Sequence, residues 1–269
     1  MSSNLGVFTQ LLGPVIDIAR RAGAAILDVY ESGEVAVANK ADGSKLTQAD
    51  LRAHHTIVEG LHSLTPEWPV LSEESAKIDF SERAHWSRYW LVDPLDGTRE
   101  FLSRNGEFTV NIALIDGHDP VLGVVYAPAR RLLYYGIPGA GALRAHADEP
   151  ARPIVVQRHA ASPVRIVGSR SHRGDSLDSL LAHLGSHELV AVGSSLKLCM
   201  VAEGSADLYA RLGATSEWDT AAAHAVVLAA GGGVTSTAGT PLTYNSRPEL
   251  LNPHFLVYAD PDRQWHRLL

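Results

Sequence analysis

The sequence predicts a layered α/β protein, with a largely antiparallel sheet in its first half and alternating strands and helices in its second. Three observations predict it. Apolar residues near the N-terminus recur at spacings of three and four, two apolar runs flank a polar stretch at residues 116–120, and beyond residue 155 short apolar runs alternate with helical patterns.

Val15, Ile18, Ala19, Ala22, Ile26 and Val29 share one helical face, with Pro14 suited to an early turn of that helix. Thr47 reads as the N-cap of a second helix whose buried side is Leu51, Ile57, Val58 and Leu61. Asp50 stands three residues after the cap, in the place a capping box gives to an acidic side chain. Val70 to Leu71 is a strand stopping at Ser72-Glu73-Glu74-Ser75, and Tyr89 to Val92 is a strand stopping at Asp93. Phe108 to Ile115 and Val121 to Tyr126 form a hairpin with an extended loop at Asp116-Gly117-His118-Asp119-Pro120.

The Gly, Ala and Pro-rich stretch from Pro138 to Pro153 ends that sheet-forming region and sets a lobe boundary near residue 155, giving lobes 1–155 and 156–269. In the second lobe Arg165–Gly168, Leu189–Val192 and Leu208–Arg211 are strands. Asp175–Leu184, Leu196–Ala202 and Thr220–Ala230 are helices.

Composition narrows the function. With 23 Lys and Arg against 30 Asp and Glu, the net charge of −7 leaves no basic excess to hold a nucleic-acid polymer. At 45% hydrophobic and 20% charged the chain has the make-up of a globular protein with a substantial core. One cysteine, Cys199, forms neither an internal disulfide nor a zinc framework, so a reducing, cytoplasmic home is expected. No window approaches the roughly 18 apolar residues of a membrane span, which leaves only peripheral attachment at the cytoplasmic face open.

Four acidic loci sit at element edges: Asp50, Glu73-Glu74, Asp93-Pro94-Leu95-Asp96-Gly97-Thr98 and Asp219. Any one of them alone is a helix cap or a solvated turn residue. Asp93 and Asp96 together say more. Pro94 fixes one dihedral and Gly97 permits an unusual one, so the turn gathers two carboxylates and a backbone carbonyl. Oxygen donors of this kind suit Mg²⁺, and main-chain N–H groups at Gly97 and Thr98 suit an anion. Metal and phosphate together point to phosphate-ester hydrolysis, whose slow uncatalysed rate favours metal-assisted water attack.

These motifs, with Trp218-Asp219-Thr220-Ala221-Ala222 and Ala230-Gly231-Gly232, resemble the signatures of the inositol-monophosphatase-like, Mg²⁺-dependent, lithium-sensitive phosphatases. Lys40-x-Asp42-x-Ser44 leading to Thr47-x-Ala49-Asp50 is similar to the family's early motif, with Lys45 and Leu46 where Pro and Val are frequent. Asp96-Gly97-Thr98-Arg99-Glu100-Phe101, the run from Asn105 to Ala113 and Gly193-Ser194-Ser195-Leu196-Lys197 are similar to its 3'(2'),5'-bisphosphate nucleotidase branch, which serves sulfate assimilation.

The resemblance implies an αβαβα sandwich with two sheets, the first largely antiparallel. It implies that Glu73, Asp93, Asp96, Asp219 and the Leu95 carbonyl bind two or three Mg²⁺ ions. Thr98 and Asp50 would orient and deprotonate the attacking water, and Glu74 would support the ligands or hold a further ion. Substrate would touch Glu73, Leu95, Asp96, Gly97, Thr98 and Asp219 at the reacting phosphate, and His172, Ser194, Lys197 and Arg211 at the second one. The implied substrate is 3'-phosphoadenosine 5'-phosphate, converted to AMP and phosphate by a monomer or homodimer.

Rival readings remain at this stage. Ser194-Ser195-Leu196-Lys197 satisfies the S-x-x-K nucleophile pattern, but its companion S-D-N and K-T-G motifs are missing. An inositol or sugar-phosphate phosphatase would share the acidic motifs, and a non-catalytic phosphometabolite sensor would share the binding residues. The histidines show no H-E-x-x-H or other zinc spacing, and Trp90 and Trp218 are expected to pack the floor of the site.

Overall fold

A computed structural model describes residues 2–33, 37–39, 45–169 and 175–269. Helix α1 (Ser2–Ser32) begins well before the expected face. Phe8 and Leu11 extend the stripe of Val15, Ile18, Ala22 and Ile26, so Pro14 lies inside the helix rather than in its first turn. An interior proline costs roughly 3 kcal/mol, and burial of this long stripe offsets it. A short ribbon, β1 (Val37–Asn39) and β2 (Lys45–Thr47), leads into α2 (Gln48–Leu64). The capping box at Thr47 and Asp50 is present. The buried face of α2 is Ala49, Ala53, Ile57 and Leu61, while Leu51 is exposed and Val58 only half-buried. The small alanines carry the contact because they let the helix backbone approach its neighbours closely.

The first sheet has seven strands in chain order. After β3 (Val70–Ser72) come a 3₁₀ turn (Glu73–Ser75), α3 (Phe80–Arg83), β4 (Arg88–Asp96) and α4 (Thr98–Leu102). The sheet continues with β5 (Thr109–Asp116), β6 (Asp119–Ala127), β7 (Leu132–Ile137), β8 (Gly141–His146) and β9 (Arg152–Ile154). Only β3 and β4 pair in parallel; the rest are antiparallel. The expected hairpin is tighter than an extended loop, because Asp116 already faces Asp119 across Gly117 and His118. Gly117 takes φ +63°, which such a turn needs. The stretch from Pro138 to Pro153 does not end the sheet either. Gly139 and Gly141, at φ +88° and +106°, turn the chain back into β8 and β9.

The second sheet is built from β10 (Val164–Ser169), α5 (Asp175–Leu184), β11 (His187–Val192), α6 (Leu196–Ala202), β12 (Leu208–Arg211), α7 (Glu217–Ala229), β13 (Gly233–Ser236) and β14 (Phe255–Tyr258). Its strand order is β11-β10-β12-β14-β13, with β10 parallel to both β11 and β12.

Alternation of side chains along the strands divides the interior into layers. Trp90, Val92, Ile112, Leu114, Leu122 and Val124 pack beneath α1 and α2. Tyr89, Leu91, Ala113, Ile115 and Val125 face the other way, onto α6, α7 and the near face of the second sheet. Ile166, Leu208 and Leu256 close the far face of that sheet with Leu180 and Leu184 of α5. The result is a helix–sheet–helix–sheet–helix sandwich, and α7, from the C-terminal half, packs directly on β5, β6 and β7. At Gly123 of β6 a side chain would strike the Ala222 carbonyl oxygen of α7 at 2.0 Å, so glycine is what permits this approach.

Candidate active site

The two aspartates of the Asp93–Asp96 segment are aligned by a β-bulge. Asp93 lies opposite Asn111 and Asp96 opposite Thr109, three steps on β4 against two on β5. In a regular strand residues 93 and 96 would face opposite sides; one extra residue puts both on the side of Asn111 and Thr109. That is the side facing α7. Leu95 is shifted the other way, joining Trp90 and Val92 under α1 and α2. Strand β4 therefore runs on to Asp96 instead of stopping at Asp93. The expectation that Trp90 floors the site fails for the same reason of parity: its indole N–H donates to Thr65 Oγ1 at 2.8 Å on the opposite face. Trp218 does pack against the middle layer.

Each carboxylate is held locally. Asp93 Oδ1 accepts the Leu95 N–H at 3.0 Å. Asp96 Oδ2 accepts the Ser195 N–H at 2.5 Å, with the Asn111 amide at 3.4 Å. Asp219 Oδ2 accepts the Ser216 N–H at 2.9 Å, closing a capping box at the start of α7. Glu73 opens the 3₁₀ turn that follows β3, beside β4, and Glu74 follows it in the same turn. Gly97, at φ +93°, reverses the chain into α4, which begins at Thr98.

These groups act on one another. Burial pushes Asp93 well above the usual carboxylate range, helped by the charges of Glu73, Asp96 and Asp219. Burial raises Asp96 to about 6, against the pull of Lys197 and the Ser195 N–H. Asp219 is pushed up to about 8 by burial first and then by Asp96, with Glu73 adding to it. Lys197 is itself lowered by burial, while Asp96 works to keep it charged. Four carboxylates thus face two offsetting cations, Lys197 near Asp96 and Arg211 near Asp219.

Among the described residues no three acidic, His or Cys side chains are already drawn into an ion cage. The donor set still fits a hard divalent cation. It is made of carboxylate oxygens, with Asp93 buried and Glu73, Asp96 and Asp219 half-buried, and its unfavourable self-repulsion is what a bound cation relieves. Glu73, Asp93, Asp96 and Asp219 are the residues that would hold it.

An open cleft lies alongside, lined by Asp96, Gly97, Ser194, Lys197, Arg211 and Asp219. Six expected residues from both halves of the chain thus meet on one surface. Tyr209 and Phe255, edge to face at 5.9 Å between ring centres, form its buried apolar side. Lys197 Nζ lies 5.7 Å from the Tyr209 ring centre and donates to the Ser194 carbonyl at 2.6 Å.

The cleft lining does not include Glu73, Glu74, Asp93, Leu95, Thr98 or Asp50. Asp50 Oδ2 serves the capping box, accepting from Thr47 N–H at 2.8 Å and Thr47 Oγ1 at 2.6 Å. The ribbon strand β2, which leads into α2, lies against α4, the helix that Thr98 begins. His172, Lys40, Asp42 and Ser44 fall outside the described residues.

Sequence reasoning assigned no role to Glu107, Thr109, Asn111 or Ser195. Glu107 is buried, with Oε1 paired to Arg130 at 2.8 Å and Oε2 accepting the Gly193 N–H at 2.8 Å. Positions 107, 109 and 111 alternate along an apolar run. Polar residues at alternate places in such a run are the signal that could have marked a functional face.

A five-layer sandwich that gathers mutually repelling carboxylates at a cleft also lined by Lys197 and Arg211 defines the metal-assisted phosphohydrolase class. The chain belongs to the inositol monophosphatase family, whose family model matches residues 9–266. It is 50% identical over 248 residues to the 3'(2'),5'-bisphosphate nucleotidase CysQ of Salmonella typhimurium, covering 92% of this chain and 99% of that one. The crystal structure of CysQ from Bacteroides thetaiotaomicron superposes with a TM-score of 0.82 at 42% identity, covering 94% of this chain and 98% of the other. The extragenic suppressor protein suhB of Bartonella henselae gives 0.77 at 27% identity, covering 96% and 98%.

Proposed function

We propose that this protein is a Mg²⁺-dependent 3'(2'),5'-bisphosphate nucleotidase that removes the 3'-phosphate of 3'-phosphoadenosine 5'-phosphate, giving AMP and phosphate in sulfate assimilation. The observation that carries the reading is one cleft lined both by the carboxylates Asp96 and Asp219 and by Lys197, Arg211 and Ser194. The carboxylates suit a metal ion, and the two cations with the hydroxyl suit a second phosphate. A monophosphate substrate would bring no second phosphate for them to bind. The 50% identity to a CysQ nucleotidase supports the same reading.

Glu73, Asp93, Asp96, Asp219 and the Leu95 carbonyl would hold two or three Mg²⁺ ions. Bound there, the metal supplies Lewis-acid polarisation of the phosphoryl group and lowers the pKa of water. Thr98 and Asp50 orient the attacking water and accept its proton, and Glu74 supports the ligand set. Water attacks phosphorus in line, the bond to the 3'-oxygen breaks, that oxygen takes up a proton to become the 3'-hydroxyl of AMP, and no phosphoenzyme forms. Lys197, Ser194, Arg211 and His172 hold the 5'-phosphate throughout, so the ester stays oriented while the leaving oxygen departs.

No described helix is long and apolar enough to cross a membrane. Cys199 is a free, buried thiol, which suits a cytoplasmic enzyme, and no observation favours a peripheral membrane position. Phosphate release by the purified protein tests the function. The bisphosphate should be turned over well ahead of inositol 1-phosphate, and the opposite order would move the protein to an inositol phosphatase.

A further inference from the structure

Between β11 and α6, one peptide unit links a cation and a carboxylate that line the cleft. The Ser194 carbonyl accepts from Lys197 Nζ at 2.6 Å, and the N–H of the same peptide, on Ser195, donates to Asp96 Oδ2 at 2.5 Å. The peptide is planar and stiff, so the phosphate-side cation and the metal-side carboxylate grip opposite edges of one rigid plate. Ser194 sits at φ +50°, a left-handed conformation that a non-glycine residue adopts only at a cost, so surrounding contacts must hold it there.

Those contacts come from alternate positions leading into and along β5. Glu107 Oε2 accepts the Gly193 N–H at 2.8 Å. Ser195 Oγ donates to Asn111 Oδ1 at 2.8 Å, and the Asn111 amide N–H lies 3.4 Å from Asp96 Oδ2. Because Ser195 has a single hydroxyl proton and gives it to Asn111, Thr109 Oγ1 is the donor in its 2.8 Å contact with Ser195 Oγ, and its 3.5 Å approach to Asp96 Oδ2 shares that one proton. Asn111, Ser195 and Asp96 thus close a ring of hydrogen bonds with every donor assigned, and Asn111 and Ser195 are buried.

We propose that Asn111 is a positioning residue that locks the Ser194–Ser195 peptide and thereby couples occupancy of the second-phosphate subsite to Mg²⁺ affinity at Asp96. The inference rests on the nucleotidase reading above. With the peptide locked, a phosphate at Lys197 steadies the plate that aims Asp96, so each ligand tightens the other. Coupling of this kind is commonly 5- to 150-fold and must be reciprocal for binding.

The test is calorimetric Mg²⁺ titration of the full chain with and without saturating AMP, the product that retains the 5'-phosphate. In the wild type AMP should tighten Mg²⁺ roughly tenfold, and Mg²⁺ should tighten AMP by the same factor. In Asn111→Ala the factor should fall to about twofold, the remainder being through-space attraction that leaves all charges in place. Thr109→Val, nearly isosteric, should lower it partway and serves where the alanine variant folds poorly. Undiminished coupling in the variants, or none in the wild type despite AMP binding, overturns the proposal while leaving the nucleotidase reading intact. Failure of AMP to bind at all overturns both.

Discussion

Lys197→Met separates recognition of the second phosphate from the chemistry at the first. The methionine keeps most of the stem's volume among Tyr209 and Leu198 but removes a buried ammonium from the cleft. A hydrogen bond to a charged partner is worth about 1.5–3 kcal/mol, and about 1.4 kcal/mol corresponds to a factor of ten. The KM for 3'-phosphoadenosine 5'-phosphate should therefore rise about 10- to 150-fold, with inositol 1-phosphate almost unaffected. A second effect must be kept apart. Lys197 also holds Asp96 down, so its loss raises that carboxyl further and weakens metal binding for every substrate. Assays at saturating Mg²⁺ remove this contribution. Equal losses on both substrates under those conditions would refute the recognition role and leave Lys197 as a tuner of Asp96.

Other outcomes follow from particular contacts. Saturating Mg²⁺, at about 100 times its Kd, should stabilise the wild type by about 2.7 kcal/mol, raising Tm by about 5–11 °C in scanning calorimetry, with little shift in Asp96→Asn. A full shift in that variant would remove Asp96 from the ligand set. Glu73→Gln should abolish turnover while leaving circular dichroism unchanged; retained activity would exclude Glu73. Gly123→Ala should cost about 3 kcal/mol in urea unfolding, because its methyl meets backbone of α7, and a neutral result would show that α7 docks less tightly. His224, buried in α7 with Nδ1 2.9 Å from Tyr244 Oη, is lowered by burial to about 3. Its unfolded value is near 6.5, so the unfolded chain binds the extra proton and this stability is complete above pH 6.5 and is lost as pH falls toward 3. Between pH 7 and pH 4.5 the loss is about 3 kcal/mol at about 1.36 kcal/mol per unit. In urea titrations His224→Phe should lose that much less than the wild type, and parallel losses would refute it.

The layered order was legible because it rests on local patterns: the α1 stripe, the capping box at Thr47 and Asp50, and the strand–helix alternation after residue 155 all survive in the structure. Elements whose fate depends on tertiary pairing were not. Strands β8 and β9 look like a Gly and Pro-rich terminator, and only pairing with β7 makes them sheet. In the site, the acidic motifs were visible as residue types at element edges. The bulge that turns Asp93 and Asp96 to one face was not, because it is defined by register against Asn111 and Thr109. Ser195 and Asn111 stood inside quoted motifs but received no role of their own for a related reason: their importance comes from a hydrogen-bond ring spanning residues 96, 111 and 195.

The most direct measurement is phosphate release from 3'-phosphoadenosine 5'-phosphate, inositol 1-phosphate and a sugar phosphate, each with Mg²⁺ and after chelation. Release from the nucleotide bisphosphate should run well ahead of release from the other two, be lost on chelation and be restored by Mg²⁺. Metal-independent hydrolysis, a preference for inositol 1-phosphate, or tight nucleotide binding without any release would contradict this expectation.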